Sequence, residues 1–124
     1  MPYLIQKKPD GTLVKQWDLK DKPLSVGRGD QVHAKIDDPI MSRKHFAVLP
    51  KGNGYCVQDL GSHNGTWLNN VKVSEAVLKA NDQIKAGQTH FVFVDALSTM
   101  IDKIEQESRG YATYVRELSE KHKP

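Results

Sequence analysis

The stretch Asp59-Leu60-Gly61-Ser62-His63-Asn64-Gly65-Thr66-Trp67-Leu68-Asn69 decides how this chain reads. It opens on the end of one apolar, strand-like run (55–60) and closes on another (66–68). The five residues between them are glycine, serine, histidine, asparagine and glycine, which favour a turn and carry hydrogen-bonding groups. Working toward the N-terminus, Lys51-Gly52-Asn53-Gly54 separates 55–60 from the run 45–49, a hairpin signal. Pro9-Asp10-Gly11 does the same between 3–8 and 12–17. The run 24–26 enters Gly27, and 34–36 stops at Asp37-Asp38-Pro39. Toward the C-terminus, runs follow at 71–73, 83–84 and 90–94. Short strands at even spacing, with no long helical period, predict an all-β sandwich over residues 1–95.

Residues 96–124 have a different character. Leu97, Ile104, Tyr111 and Leu118 recur every seven residues, and Met100, Ile101, Tyr114 and Val115 widen the same face. This pattern predicts one amphipathic C-terminal α-helix over about 96–120, with Asp95 as N-cap. Glu107 and Ser108 interrupt the apolar stripe, and Gly110 weakens or breaks the middle. Three roles suit such a segment: packing on the sandwich, self-association through 96–120 as a short coil, or linking to a further domain.

Composition narrows the function classes. The chain has 124 residues, 38% hydrophobic and 27% charged, with a net charge of +3. Residues 1–95 hold 13 Lys/Arg against 10 Asp/Glu, and residues 96–124 hold five of each. That excess suits an anionic ligand but is thin for a duplex-binding protein, so no nucleic-acid partner is expected. No apolar run nears the roughly 18 residues of a membrane helix. The N-terminus runs straight into a strand pattern without a signal-peptide core, so the expected location is cytoplasmic and no membrane partner is expected. Cys56 is the only cysteine and reads as a small core residue. His33, His63 and His90 show no ligand-type spacing, so neither metal nor cofactor is expected. Trp17 and Trp67 read as packing residues rather than base-stacking platforms.

Polar residues gather at three strand-to-loop junctions: Gly27-Arg28, Ser42-Arg43-Lys44-His45, and the loop 61–66, with Asn69 just beyond. An arginine fork matches phosphate oxygens, hydroxyls add donors, and an asparagine side chain can donate to and accept from a peptide backbone. A nucleophile–base pairing of Ser42 with His45 is disfavoured. A spacing of three on an extended segment does not pair them, and no acid partner is evident. The chain does not read as an enzyme.

These motifs resemble the forkhead-associated (FHA) family, whose marks are a Gly-Arg pair, a Ser-x-x-His motif and an Asn-Gly pair, in that order. Here they stand as Gly27-Arg28, Ser42-Arg43-Lys44-His45 and Asn64-Gly65, and the stretches 59–69 and 78–87 are close to the family pattern. The resemblance spans residues 24–94. It implies a sandwich of about eleven strands that binds phosphothreonine peptides on the loops at one end, within Ser/Thr-kinase signalling. The phosphopeptide-binding residues it implies are Arg28 and Ser42 on the phosphate, Arg43 assisting, Asn64 on the peptide backbone, and Ser62 and His63 beside it. Gly27, His45, Gly65, Thr66 and Asn69 are implied as structural supports of those loops, the two glycines through backbone freedom. The implied partners are a phosphothreonine protein and the kinase that supplies the mark.

His63 departs from the pattern, which usually has a small hydroxyl residue there. Imidazole donates a hydrogen bond and gains charge toward acid pH, so modestly tighter binding there is expected, opposed by protonation of the phosphate itself. Selection for threonine over serine rests on one methyl, worth about 10–200-fold in a fitted pocket. Pro39, Ile40 and Met41 make the loop before Ser42 apolar, which predicts an aliphatic residue three positions after the phosphothreonine. The alternative use of the fold is a phosphorylation-independent scaffold in a secretion machine or other multiprotein assembly, though members of that kind tend to lack the Arg or the Ser kept here.

Overall fold

The central strands carry side chains that enter a shared core beside side chains that face outward, and this two-sidedness fixes how two sheets stack. The computed structural model describes residues 2–95. Its elements are all strands: β1 (Pro2–Lys7), β2 (Leu13–Asp18), β3 (Leu24–Gly27), β4 (Ala34–Lys35), β5 (Phe46–Lys51), β6 (Gly54–Asp59), β7 (Thr66–Leu68), β8 (Val71–Val73), β9 (Glu75–Val77), β10 (Gln83–Ala86) and β11 (Thr89–Asp95). The helix expected over 96–120, and any self-association through it, lie outside the described residues.

One sheet has the order β2-β1-β11-β10-β7-β8 and the other β4-β3-β5-β6-β9. All pairings are antiparallel except β3 with β4. Leu4, Ile84 and Phe91 from the first sheet meet Val26, Phe46, Val48 and Val57 from the second, all buried. Phe46 and Phe91 join the two sheets edge to face, with ring centroids 5.3 Å apart, a geometry worth about 0.5–1.5 kcal/mol beyond the buried area. Cys56 is buried, as its surroundings in the sequence predict.

The register brings the three polar junctions to one end of this sandwich. Phe46 pairs with Val26 on one side and Asp59 on the other, so the exit of β3, the entry of β5 and the exit of β6 stand together. Thr66 pairs with Ala86, which sets the entry of β7 at the same end as the β10–β11 hairpin. Ten of the strands coincide with apolar runs in the sequence. β9 does not: it is a three-residue edge strand on β6 whose Val77 faces solvent, so it shows no buried alternation.

Candidate functional site

Three loops at that end hold one another through their backbones. The amide of Arg28 donates to the carbonyl of Ser42 at 2.9 Å, and the amide of Gly29 to that of Arg43 at 3.0 Å. This approach is close enough to require Gly27. A Cβ there would lie 2.1 Å from the Arg43 carbonyl oxygen and 2.9 Å from that of Ser42. The expectation of backbone freedom at Gly27 is thus corrected: the residue makes room for the 42–43 backbone. Gly65 does use the left-handed region, with φ of 88°.

His45 lies beneath the loops and is wholly buried. The Ser42 amide donates to its Nδ1 at 3.0 Å, so Nε2 carries the proton and donates to the Gly65 carbonyl at 2.8 Å. One imidazole therefore ties the 42–45 turn to the 60–65 loop. Ser42 makes a second tie, its Oγ accepting the amide of His63 at 2.9 Å. Asn64 makes a third, with Nδ2 donating to the Ile40 carbonyl at 3.1 Å. Arg28 donates from Nε to the Met41 carbonyl at 3.0 Å.

These ties leave specific groups available. Among the described residues the terminal nitrogens of Arg28, the Asn64 Oδ1 and the imidazole of His63 have no hydrogen-bond partner, and all three side chains belong to exposed residues. The Ser42 hydroxyl accepts from His63 and keeps its own proton to give. Arg43 lines a cleft of about 520 Å³ with Gly29, Asp30, Gln31 and Lys44. A guanidinium fork, a hydroxyl and a carboxamide on braced loops can hold an anion and the peptide beside it.

Ser62 differs from the expectation of direct ligand contact. Its hydroxyl donates to the Asp59 carboxylate and accepts the Gly65 amide at 2.9 Å, so its proton is committed within the loop. Asn69 is corrected too. It stands at the far end of β7, where it bonds Asp82 and Gln83, and so braces the opposite end of the sandwich. Thr66 is buried and donates to Asp59 at 2.7 Å beneath the loop. Met41 is buried, which leaves Ile40, 40% exposed, as the apolar surface of its loop alongside Pro39.

Two aspartates that sequence reasoning passed over organise these loops. Asp59 accepts from the amides of Gly61 and Ser62 and from the hydroxyls of Ser62 and Thr66. Asp38 accepts from the amides of Ile40 and Gln88 and from the Thr89 hydroxyl, pinning the 36–45 loop to the β10–β11 hairpin. In both, burial pushes the carboxyl pKa upward, but the hydrogen bonds outweigh it and hold the pKa below the ordinary value. Asp59 closes β6 just ahead of a glycine–serine turn, a local signal for a side chain that caps the turn.

The family model for the FHA domain matches residues 24–87, just over half of the chain and all three loops. The chain belongs to the FHA family. Among FHA relatives it is 39% identical over 59 residues to the FHA domain-containing protein FhaB of Mycolicibacterium smegmatis, covering 48% of this chain and 38% of that one. It is 36% identical over 77 residues to the glycogen accumulation regulator GarA of the same organism, covering 61% and 49%. The chain thus spans about half or less of these curated relatives. A solved structure from a study of phosphothreonine-dependent FHA domain interactions superposes with a TM-score of 0.68 at 26% identity, covering 76% of this chain and 95% of that one. The FHA domain of FhaA, solved with an intracellular domain of another protein, gives 0.67 at 27% identity, covering 75% and 99%. Among the described residues no helix is long and apolar enough to cross a membrane.

Proposed function

We propose that this FHA domain reads phosphothreonine on a protein partner marked by a Ser/Thr kinase, and that it works by binding rather than by catalysis. The observation that carries the reading is the mutual bracing of the loops bearing Arg28, Ser42 and Asn64, with donors left over at the outer surface. In this reading the Arg28 fork pairs with the phosphate and the Ser42 hydroxyl donates to it. Asn64 holds the peptide backbone through its free carboxamide atoms. Arg43 and His63 add donors at the margin, and Ser62 acts through the loop it braces. The reading places the protein in the cytoplasm, with the kinase that writes the mark.

The phosphate on threonine lies close to the peptide backbone, so one ligand can reach both Arg28 and Asn64. Phosphotyrosine holds its phosphate too far out to satisfy both. Ile40 supplies the apolar surface for an aliphatic residue three positions after the phosphothreonine.

Titration with a phosphothreonine peptide library tests the proposal. Arg28→Ala abolishes binding, because the phosphate loses its bidentate partner. Unchanged affinity in that variant rejects the site. Failure of every phosphopeptide, with firm binding of an unmodified partner, replaces this reading with a phosphorylation-independent scaffold.

A further inference from the structure

The cleft of about 520 Å³ beside the site has a charge pattern of its own. Among the residues that line it, Arg43 and Lys44 are cations and Asp30 is the one carboxylate. Asp30 is ion-paired with Lys35, which stands outside the lining. The Lys35 hydrogen bond and charge hold the Asp30 carboxyl below its ordinary pKa, and the charge of Arg43 adds to the effect. The side chains of Arg43 and Lys44 are exposed and have no ion-pair partner among the described residues. The cleft thus keeps two unpaired positive charges beside a carboxylate that already has its partner.

Its place relative to the phosphate groups follows from the segment 40–44. At one end Asn64 Nδ2 donates to the Ile40 carbonyl. Arg28 Nε donates to the Met41 carbonyl, and the Ser42 hydroxyl comes next. At the other end the Gly29 amide donates to the Arg43 carbonyl, and a Cβ on Gly29 would lie 3.1 Å from the Arg43 Cβ. The cleft therefore opens on the far side of Arg28 and Ser42 from Asn64 and Ile40. In the phosphothreonine reading, on which this inference rests, Ile40 takes a residue that follows the phosphothreonine. A peptide crossing the site in one direction then brings the residues before it to Arg43 and Lys44. At about 3.3 Å per extended residue, a cleft roughly 8 Å across takes side chains from the three positions before the phosphothreonine.

We infer that this cleft selects an anionic side chain, a carboxylate or a second phosphate, among those three positions. Arg43 serves both the phosphothreonine and the cleft, since its guanidinium carries five donors. Lys44 acts on the cleft alone. Exposed ion pairs are weak singly, so two cations give a preference of about 3- to 10-fold rather than a requirement. The preferred ligand is then lopsided, acidic before the phosphothreonine and aliphatic after it.

Calorimetric titration of the full chain with a matched peptide set tests this. The peptides share one sequence after the phosphothreonine and carry alanine, glutamate, lysine or phosphoserine at each of the three positions before it. At one or more of these positions glutamate binds about 3- to 10-fold tighter than alanine, and lysine binds more weakly. Added salt narrows the difference. A gain with glutamate supports selection of a carboxylate, and a gain confined to phosphoserine supports selection of a second phosphate. Lys44→Gln shrinks the preference and leaves the alanine peptide nearly unchanged, whereas Asp30→Asn enlarges it. Equal binding of all four kinds of peptide, still abolished by Arg28→Ala, overturns this inference and leaves the phosphothreonine reading standing. A preference that neither Lys44→Gln nor Asp30→Asn moves lies outside the cleft and overturns the inference equally. Failure of the whole set overturns both readings.

Discussion

The hydroxyl of Ser42 accepts the backbone amide of His63 at 2.9 Å. The bond joins two loops 21 residues apart in the chain and aims the hydroxyl proton away from the tie. One side chain thus braces the proposed site and supplies a donor to it.

Ser42→Ala removes both contributions. A hydrogen bond to a charged group is worth about 1.5–3 kcal/mol, so phosphopeptide affinity falls by about 10- to 150-fold. Calorimetric titration measures the loss. The tie to His63 is exposed, so its removal costs the fold only about 1 kcal/mol, read in the same preparation by urea unfolding. A variant that binds normally takes Ser42 out of the phosphate contact.

Gly27→Ala acts through a collision. The added methyl meets the Arg43 carbonyl oxygen at 2.1 Å, and backbone has no alternative rotamer. Relief requires parting the 27–29 and 42–43 segments, with strain or loss of their two amide–carbonyl bonds. The cost is about 2–3 kcal/mol, a drop of about 10 °C or more in the thermal midpoint. Gly52→Ala is the comparison. Its Cβ meets nothing within 4 Å, and only its φ of 59° is unfavourable, so the loss is smaller, about 1 kcal/mol.

His45→Phe keeps an aromatic ring in the buried site but neither hydrogen bond. The Ser42 amide and the Gly65 carbonyl then lose partners at 3.0 and 2.8 Å. Each unsatisfied buried group costs about 1–3 kcal/mol, so unfolding free energy falls by about 2–5 kcal/mol. Hydrogen exchange at the Ser42 amide accelerates more than at the Val48 amide in mid-strand. That local signature separates loss of the brace from general destabilisation.

Much of this was legible in the sequence, because the core writes its alternation into the strands. Phe46, Val48, Val57, Ile84, Phe91 and Phe93 sit on runs bounded by Gly, Pro and Asn, and those runs became strands. β9 was hidden because Glu75-Ala76-Val77 pairs only on one side, through backbone, and leaves Val77 in solvent. In the site, the order of Gly27-Arg28, Ser42–His45 and Asn64-Gly65 marked the loops, but not how each group is used. The roles of Asp38 and Ser62 come from partners 50 and 3 residues away, and only the folded register decides between them. Asn69 misled because closeness in sequence to Gly65 is the length of a strand in space.

Asp59 sets how the site loop responds to acid. Unfolded, its carboxyl titrates near 4. In the fold, burial raises the pKa, but hydrogen bonds from Ser62, Thr66 and Gly61 lower it further than burial lifts it. A carboxyl depressed by folding contributes its full stability above the unfolded value and loses it as the pH falls through the folded one. Asp59 therefore adds stability unchanged from neutral pH down to about 5 and loses it progressively below about 4. Asp59→Asn keeps the shape, but its NH₂ group faces donors where a carboxylate oxygen accepted them. The variant is less stable at pH 7, and its stability falls less steeply on acidification. Asp38, depressed in the same way, keeps part of the acid slope in both proteins. Urea midpoints measured from pH 7 to 2.5 give the comparison. Parallel curves for wild type and variant would mean that the Asp59 charge does not hold the loop, and that its hydrogen bonds act through geometry alone.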